Sequence, residues 1–290
     1  MAKLRYKNAF IDGQEYKIPF VIFNEDKKET LLVTGGIDGD EYAGIKAAYN
    51  LINVLEKFKS DYRIIVVPLV NFFGYKANVS HNPIDGKYPK HIYPGKKNGT
   101  SSEQIIYELE EFINQSFLWV DLHSGSTDES LKPFIWTWKT KNKIVNEIIL
   151  SKLHFFPNEN IIYQKKSIKK VEELAKRNIS YVMLESGELG KENKEDILRH
   201  VEWVEKILLK KTKQDPVFVY ENVQFFKLKN STEWMPKVSP GRINAKEVIG
   251  YLDTKAIVSN KLGLILYMKK NMIMSKNSEF LAIAYDKIKI

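Results

Sequence analysis

Apolar positions recur along the chain with two periods, and the switches between them outline alternating strands and helices. Leu31, Leu32 and Val33 form a short apolar run, and Ala43, Ala47, Leu51, Val54, Leu55 and Phe58 then recur at helical spacing between Glu41 and Lys59. A β-branched run follows from Arg63 to Val70, so strand, helix and strand predict a βαβ unit on a parallel sheet. The alternation continues with a helix over 101–114 capped by Ser101 or Ser102, strands around 118–123 and 134–138, helices over 141–153 and 168–178, a strand over 181–185 and a helix over 191–211. Residues 3–24 read as a hairpin about Asp12-Gly13. After Asp215-Pro216 the pattern changes to short alternating strands separated by turns, such as Ser239-Pro240-Gly241 and residues 271–277, which predicts a small β unit. The lysines between Lys206 and Lys213 mark the helix end and the junction. Residues 71–100 are rich in Gly, Pro, Asn and Lys without clear periodicity, and a loop of that length points to function rather than connection.

Composition narrows the class without choosing a function. The 290 residues exceed one typical domain, so an α/β body over residues 1–213 with an appended β unit over 214–290 is expected. A hydrophobic share of 43% and a charged share of 28% are those of a soluble globular protein, and no run approaches a membrane span. With no secretory pattern in MAKLRYKNAF, the expected compartment is the cytoplasm. The net charge of +9 comes from scattered lysines without a nucleic-acid-binding motif, so the expected partner is a small-molecule substrate, not nucleic acid or membrane. There is no cysteine, so any metal must be held by His, Asp or Glu.

Candidate chemistry gathers where strands end. VTGGIDGDE carries Asp38 and Glu41 on a glycine-rich turn after an apolar strand, LWVDLHSG ends a second strand in Asp121, His123 and Ser124, and YVMLESG ends a third in Glu185. On its own the first turn reads more simply as a helix start capped by its acids. Joined by His123, however, Asp38 and Glu41 make a donor set of the right kind for a catalytic divalent metal, and Glu185 supplies a base. Phe134, Trp136 and Trp138 share one strand face, which favours core packing over a pocket wall.

With those residues in place, the chain resembles the succinylglutamate desuccinylase and aspartoacylase family, a branch of the zinc carboxypeptidase-like fold. GGIDGDE is similar to that family's GG-hydrophobic-HGDE turn, with Asp38 where the family has its first histidine ligand and Glu41 on the second ligand. VPLVN with Gly74 and Tyr75 resembles VPxxNPxGY, IDGKYPKHIYPG resembles DGKDLNRxFPG, DLHSG supplies the third ligand as His123, and LESG places Glu185 on the catalytic glutamate of the ELG motif. Trp234, Pro236, Gly241 and Gly250 resemble the pattern of the family's C-terminal barrel-like sandwich.

The resemblance implies a mixed, mainly parallel sheet flanked by helices, a C-terminal all-β barrel-sandwich domain, and a metal-dependent hydrolase cleaving an amide bond in a small N-acyl amino acid or peptide-like substrate. It implies one divalent ion held by Asp38, Glu41 and His123, with Zn2+ first and Mn2+ or another hard ion as competitor, since an added carboxylate favours oxygen-preferring ions. Substrate contacts fall on Asn71, Ser80, Lys90 and His91, although the family's Asn-Arg pair is replaced by Lys90 and His91 and its following arginine by Ser80. A lysine lacks the guanidinium fork, so succinylglutamate or acetylaspartate specificity is not expected. The same substitutions motivate a second reading, an inactive family member that binds a small ligand or protein.

Overall fold

A computed structural model describes residues 3–209, 216–270 and 272–290. The expected hairpin is present as β1 (Arg5–Ile11) and β2 (Gln14–Phe23), paired antiparallel around Asp12 and Gly13, both at positive φ as a tight two-residue hairpin turn requires. β3 (Thr30–Gly35), α1 (Tyr42–Leu55) and β4 (Arg63–Val67) form the predicted βαβ unit, with β3 and β4 parallel. All of β3 is buried, which its unbroken apolar run requires of a strand covered on both faces. Each such Leu or Val contributes about 1.5–3 kcal/mol by leaving water.

The stretch 71–100 is less irregular than its sequence suggests. It holds α2 (Phe72–Ala77) and a 3-10 turn at Pro89–His91. α2 has six residues, too few to display a helical period, and is set by its ends: the Asn71 side chain accepts from the Gly74 amide, and Asn78 closes it in the left-handed conformation.

α3 (Ser101–Ile113) is capped by Thr100, not by Ser101 or Ser102, in a reciprocal capping box with Glu103. β5 (Leu118–His123), β6 (Glu129–Leu131), β7 (Phe134–Trp138), α4 (Lys143–Leu153), β8 (Ile161–Gln164), α5 (Lys169–Ala175), β9 (Ser180–Glu185) and α6 (Lys194–Leu208) complete the body. β6 and β8, of three and four residues, have no counterpart in the sequence reading, being shorter than a recognisable alternation.

The final part contains β10 (Phe218–Lys227), β11 (Thr232–Pro236), β12 (Gly241–Ile243), β13 (Val248–Leu252), β14 (Lys255–Val258), β15 (Gly263–Lys269), β16 (Met272–Met274) and β17 (Glu279–Lys289). The expected turn over 271–277 therefore includes a short strand, residue 271 lying outside the described residues, as do the 213/214 boundary and the lysines beyond 209. A four-stranded antiparallel sheet, ordered β14-β13-β11-β16, stands apart from the main one. The main sheet runs β1-β2-β4-β3-β5-β9-β7-β8-β10-β17-β15-β12, with β6 on β15, so the later strands continue the sheet of the body.

Helices cover both faces of the central strands. α1, α4 and α6 pack on one side with Val33, Val120 and Leu184, and α3 and α5 on the other with Leu32, Trp119 and Tyr181. Phe134, Trp136 and Trp138 are buried as expected for core residues; Trp136 stacks on Trp138 and on Phe225 of β10. Among the described residues no helix is long and apolar enough to cross a membrane.

The order places the crevice. From β3 the chain passes through α1 to β4 on one side, while β5 lies on the other, so β3 and β5 flank a switch point at their carboxyl ends.

Candidate metal centre

The turn after β3 is held in shape by close approaches that only glycine permits. Gly36 has φ +64°, and a Cβ on Gly39 would lie 2.1 Å from the Gly74 carbonyl carbon. The Asn71 amide donates to the Gly36 carbonyl at 2.7 Å and the Gly39 amide to that of Ser80 at 3.3 Å, pinning the turn against α2. Asp38 is thereby fully buried.

Glu41 occupies the N-cap position of α1, yet its side chain makes no capping bond. The carboxylate reaches across to β5, where Oε2 accepts from the Ser124 amide at 2.9 Å and lies 2.9 Å from His123 Nδ1. The simple helix-cap reading of this acid therefore does not hold. His123 ends β5 directly opposite Glu185, which ends the neighbouring parallel strand β9. One donor atom each from Asp38, Glu41 and His123 lies within 4.8 Å of the others, all three residues being buried.

Asp121 fixes the imidazole from behind. Two positions before His123 on a strand, it shares that residue's face. Its Oδ2 lies 3.1 Å from His123 Nε2 and accepts from the Tyr181 hydroxyl at 2.8 Å, while Oδ1 accepts from Thr34 Oγ1 at 2.6 Å. Thr34 in turn accepts from Trp119 Nε1, and the buried Lys170 ammonium donates to the Tyr181 hydroxyl at 2.7 Å. With Nε2 turned to a carboxylate, Nδ1 is the nitrogen left for the donor trio. The partners of this rear network are scattered along the sequence, and only the Asp-x-His spacing of period two signals it.

The charges are strongly coupled. Burial alone would lower the His123 pKa, but Glu41 and Asp121 on either side hold it well above the usual histidine range. Burial pushes Asp38 up to about 6 even though Lys90 pulls the other way. Burial also drives Glu185 well above the carboxylate range, opposed by His123 and reinforced by Glu41 and Glu129. Glu185 accepts no hydrogen bond among the described residues, an unusual condition for a carboxylate only 9% exposed.

Lys90 is the unexpected neighbour. Carried on the 3-10 turn, its ammonium donates to Asp38 Oδ2 at 2.5 Å. Among the described residues, buried Asp38 Oδ1 has no hydrogen-bond partner, and the contact of His123 Nδ1 with Glu41 Oε2 at 2.9 Å is an ion-pair approach without hydrogen-bond alignment. An orphaned buried acceptor is costly, and Asp38 Oδ1 beside the Glu41 carboxylate and an imidazole whose proton an ion could displace fits an oxygen- and nitrogen-ligated divalent ion.

The other expected contact residues are placed differently. Asn71 spends its amide on the α2 cap and on the Ser80 carbonyl, and Ser80 Oγ donates to Asp40 Oδ1 at 2.7 Å, so both hold the turn. His91 is exposed beside the Tyr88 ring. From the final part of the chain, Lys269 pairs with Asp128 at 2.6 Å and with Glu129 at 3.3 Å, next to the Glu185 side of the site.

Residues 27–210 match the family model described as the succinylglutamate desuccinylase/aspartoacylase catalytic domain. Over 118 residues, 40% of this chain, the sequence is 33% identical to the N-alpha-acetyl-L-2,4-diaminobutyric acid deacetylase of Halomonas elongata; the match spans 34% of that relative's length. Among solved structures, a succinylglutamate desuccinylase/aspartoacylase from Rhodobacter sphaeroides aligns with a TM-score of 0.82 at 16% identity, over 98% of this chain and 95% of that one. The product-bound ectoine utilization protein EutE from Ruegeria pomeroyi aligns with a TM-score of 0.80 at 17% identity, over 97% and 93%. At these identities the two structures speak for the fold.

Proposed function

The chain belongs to the succinylglutamate desuccinylase/aspartoacylase family, and from that membership we propose that it is a metal-dependent amide hydrolase acting on a small N-acyl amino acid or peptide-like molecule. The observation that carries the reading is the buried trio Asp38, Glu41 and His123, with Asp38 Oδ1 unpartnered among the described residues, beside the Glu185 carboxylate on the neighbouring strand end. The trio would hold one divalent ion, Zn2+ or a harder competitor such as Mn2+, which when bound supplies a Lewis acid for an amide carbonyl and acidifies water.

The protein's own residues carry the rest. Asp121, itself held by Thr34 and Tyr181, keeps the His123 ring oriented. Glu185 takes one proton from the attacking water as the C–O bond forms, then delivers it to the amine nitrogen as the C–N bond breaks; the base is restored, and the carboxylic acid passes its remaining proton to the released amine, so carboxylate and ammonium leave. Burial of Glu185 raises its proton affinity, which suits a group that must first accept a proton and then give it up. Asn71 and Ser80 shape the turn that aims Asp38, while the exposed His91 remains open to a substrate.

Metal titration tests the reading directly. His123 holds its proton above the usual histidine range in the metal-free protein, and a ligand nitrogen must be free of it. Calorimetry of chelator-treated protein with Zn2+ or Mn2+ at pH 7, in buffers of different ionisation enthalpy, is expected to show about one proton released per ion. Affinity should climb roughly tenfold per pH unit through neutrality, levelling off only above the raised pKa. Absence of ion binding would remove the hydrolase reading. It would favour the binding-module alternative, for which the self-satisfied Lys90–Asp38 pair is the supporting observation.

A further inference from the structure

Asp38 divides its two oxygens between different tasks. Oδ2 receives the Lys90 ammonium, while buried Oδ1 has no hydrogen-bond partner among the described residues. With a neutral imidazole, two carboxylates and a histidine carry two negative charges; with Lys90 counted, they carry one. The lysine is positioned for this: its 3-10 turn is closed by bonds from His91 to Tyr88 and from Ile92 to Pro89, and its ammonium lies 5.7 Å from the Tyr88 ring centre.

Resting on the metal-site reading above, we infer that Lys90 is a resident counter-cation of the metal centre, which takes one oxygen of Asp38 and weakens the trio's grip on a divalent ion. Two effects compete. Lys90 could strengthen ion binding by orienting Asp38, or weaken it by placing a like charge a few ångströms away. The turn carrying Asp38 is already pinned through Gly36, Gly39 and Asn71, so little orientation is left for the lysine to supply. A fixed unit charge beside a divalent ion is the larger effect, since the Lys90 side chain is only 28% exposed and its ammonium sits on the fully buried Asp38. Lys90 therefore keeps the centre exchangeable and is not available as a free grip for a substrate carboxylate.

The test is the dissociation constant for Zn2+ and for Mn2+, by chelator competition, in the full chain and in Lys90→Met, Lys90→Gln and Lys90→Arg. Met and Gln are expected to tighten binding about tenfold or more, and Arg, which keeps the charge, to stay within about threefold of the parent. Gln retains a hydrogen-bond donor for Asp38, so it reports on charge even if Met leaves that buried carboxylate unpaired and the variant does not fold. Unchanged or weaker binding in the neutral variants, with the parent binding normally, overturns this inference alone. No binding in the parent or in any variant overturns the metal-site reading, and this inference with it.

Discussion

Glu185→Gln is expected to lower kcat for the hydrolysis of any N-acyl amino acid the protein cleaves by about 100- to 10,000-fold, with ion content unchanged. Glutamine preserves the shape of the side chain but can neither take the proton of the attacking water nor deliver it to the departing amine, and a positioned acid–base group contributes about that factor. The variant separates chemistry from folding. Glu185 is a buried carboxylate that accepts no hydrogen bond among the described residues, so removing its charge costs the fold little. Steady-state rates on a panel of N-acetyl amino acids, beside elemental analysis of the same preparations, make the comparison. Undiminished turnover by the ion-loaded variant would show that the proton passes elsewhere.

His123→Ala is expected to act on two levels. It removes the one nitrogen of the trio and so the bound ion, read as loss of near-stoichiometric metal in protein purified without chelator. It also deletes the cation lying between Glu41 and Asp121, at 2.9 and 3.1 Å, while both carboxylates stay buried. Breaking a buried ion pair from one side costs about 3–5 kcal/mol. For a chain of this size that corresponds to a Tm lower by about 5–8 °C in the metal-free state. Thermal denaturation of chelator-treated parent and variant reads this second effect without reference to metal. A variant that keeps its ion would exclude His123 as a ligand, and one with unchanged Tm would mean that the two acids find other partners.

What could be read in advance depended on length and on locality. β3, α1 and β4 are long enough to display their period, and the site residues stand out because His123 and Glu185 end apolar strands while Asp38 and Glu41 lie on the glycine-rich turn that follows one. α2, β6 and β8 are too short to show one, and the cap of α3 falls at Thr100, one residue before the expected serines, because its partner is Glu103. The contact between Lys90 and Asp38 could not be anticipated. The two are 52 positions apart, and Lys90 sits in a segment whose path no local pattern dictates. The same holds for Lys170 behind Tyr181, where a buried lysine on a short helix carries no mark of its destination. Glu41 is the reverse case: local pattern suggests a helix cap, and a long-range partner, the Ser124 amide, takes the side chain instead.

The pairing of β6 with β15 bears on how the protein is made. Lys269 meets Asp128 from 141 positions further along, and Glu129, Ser130 and Leu131 acquire strand partners only from that same late segment. During synthesis the trio Asp38, Glu41 and His123 leaves the ribosome well before residue 269 does. The first carboxylates and the imidazole can therefore come together on a nascent chain while the flank beside Glu185 still lacks its lysine. The flank beside Glu185 thus takes its strand partner and its lysine from the last quarter of the chain, while the donor trio comes wholly from the first half.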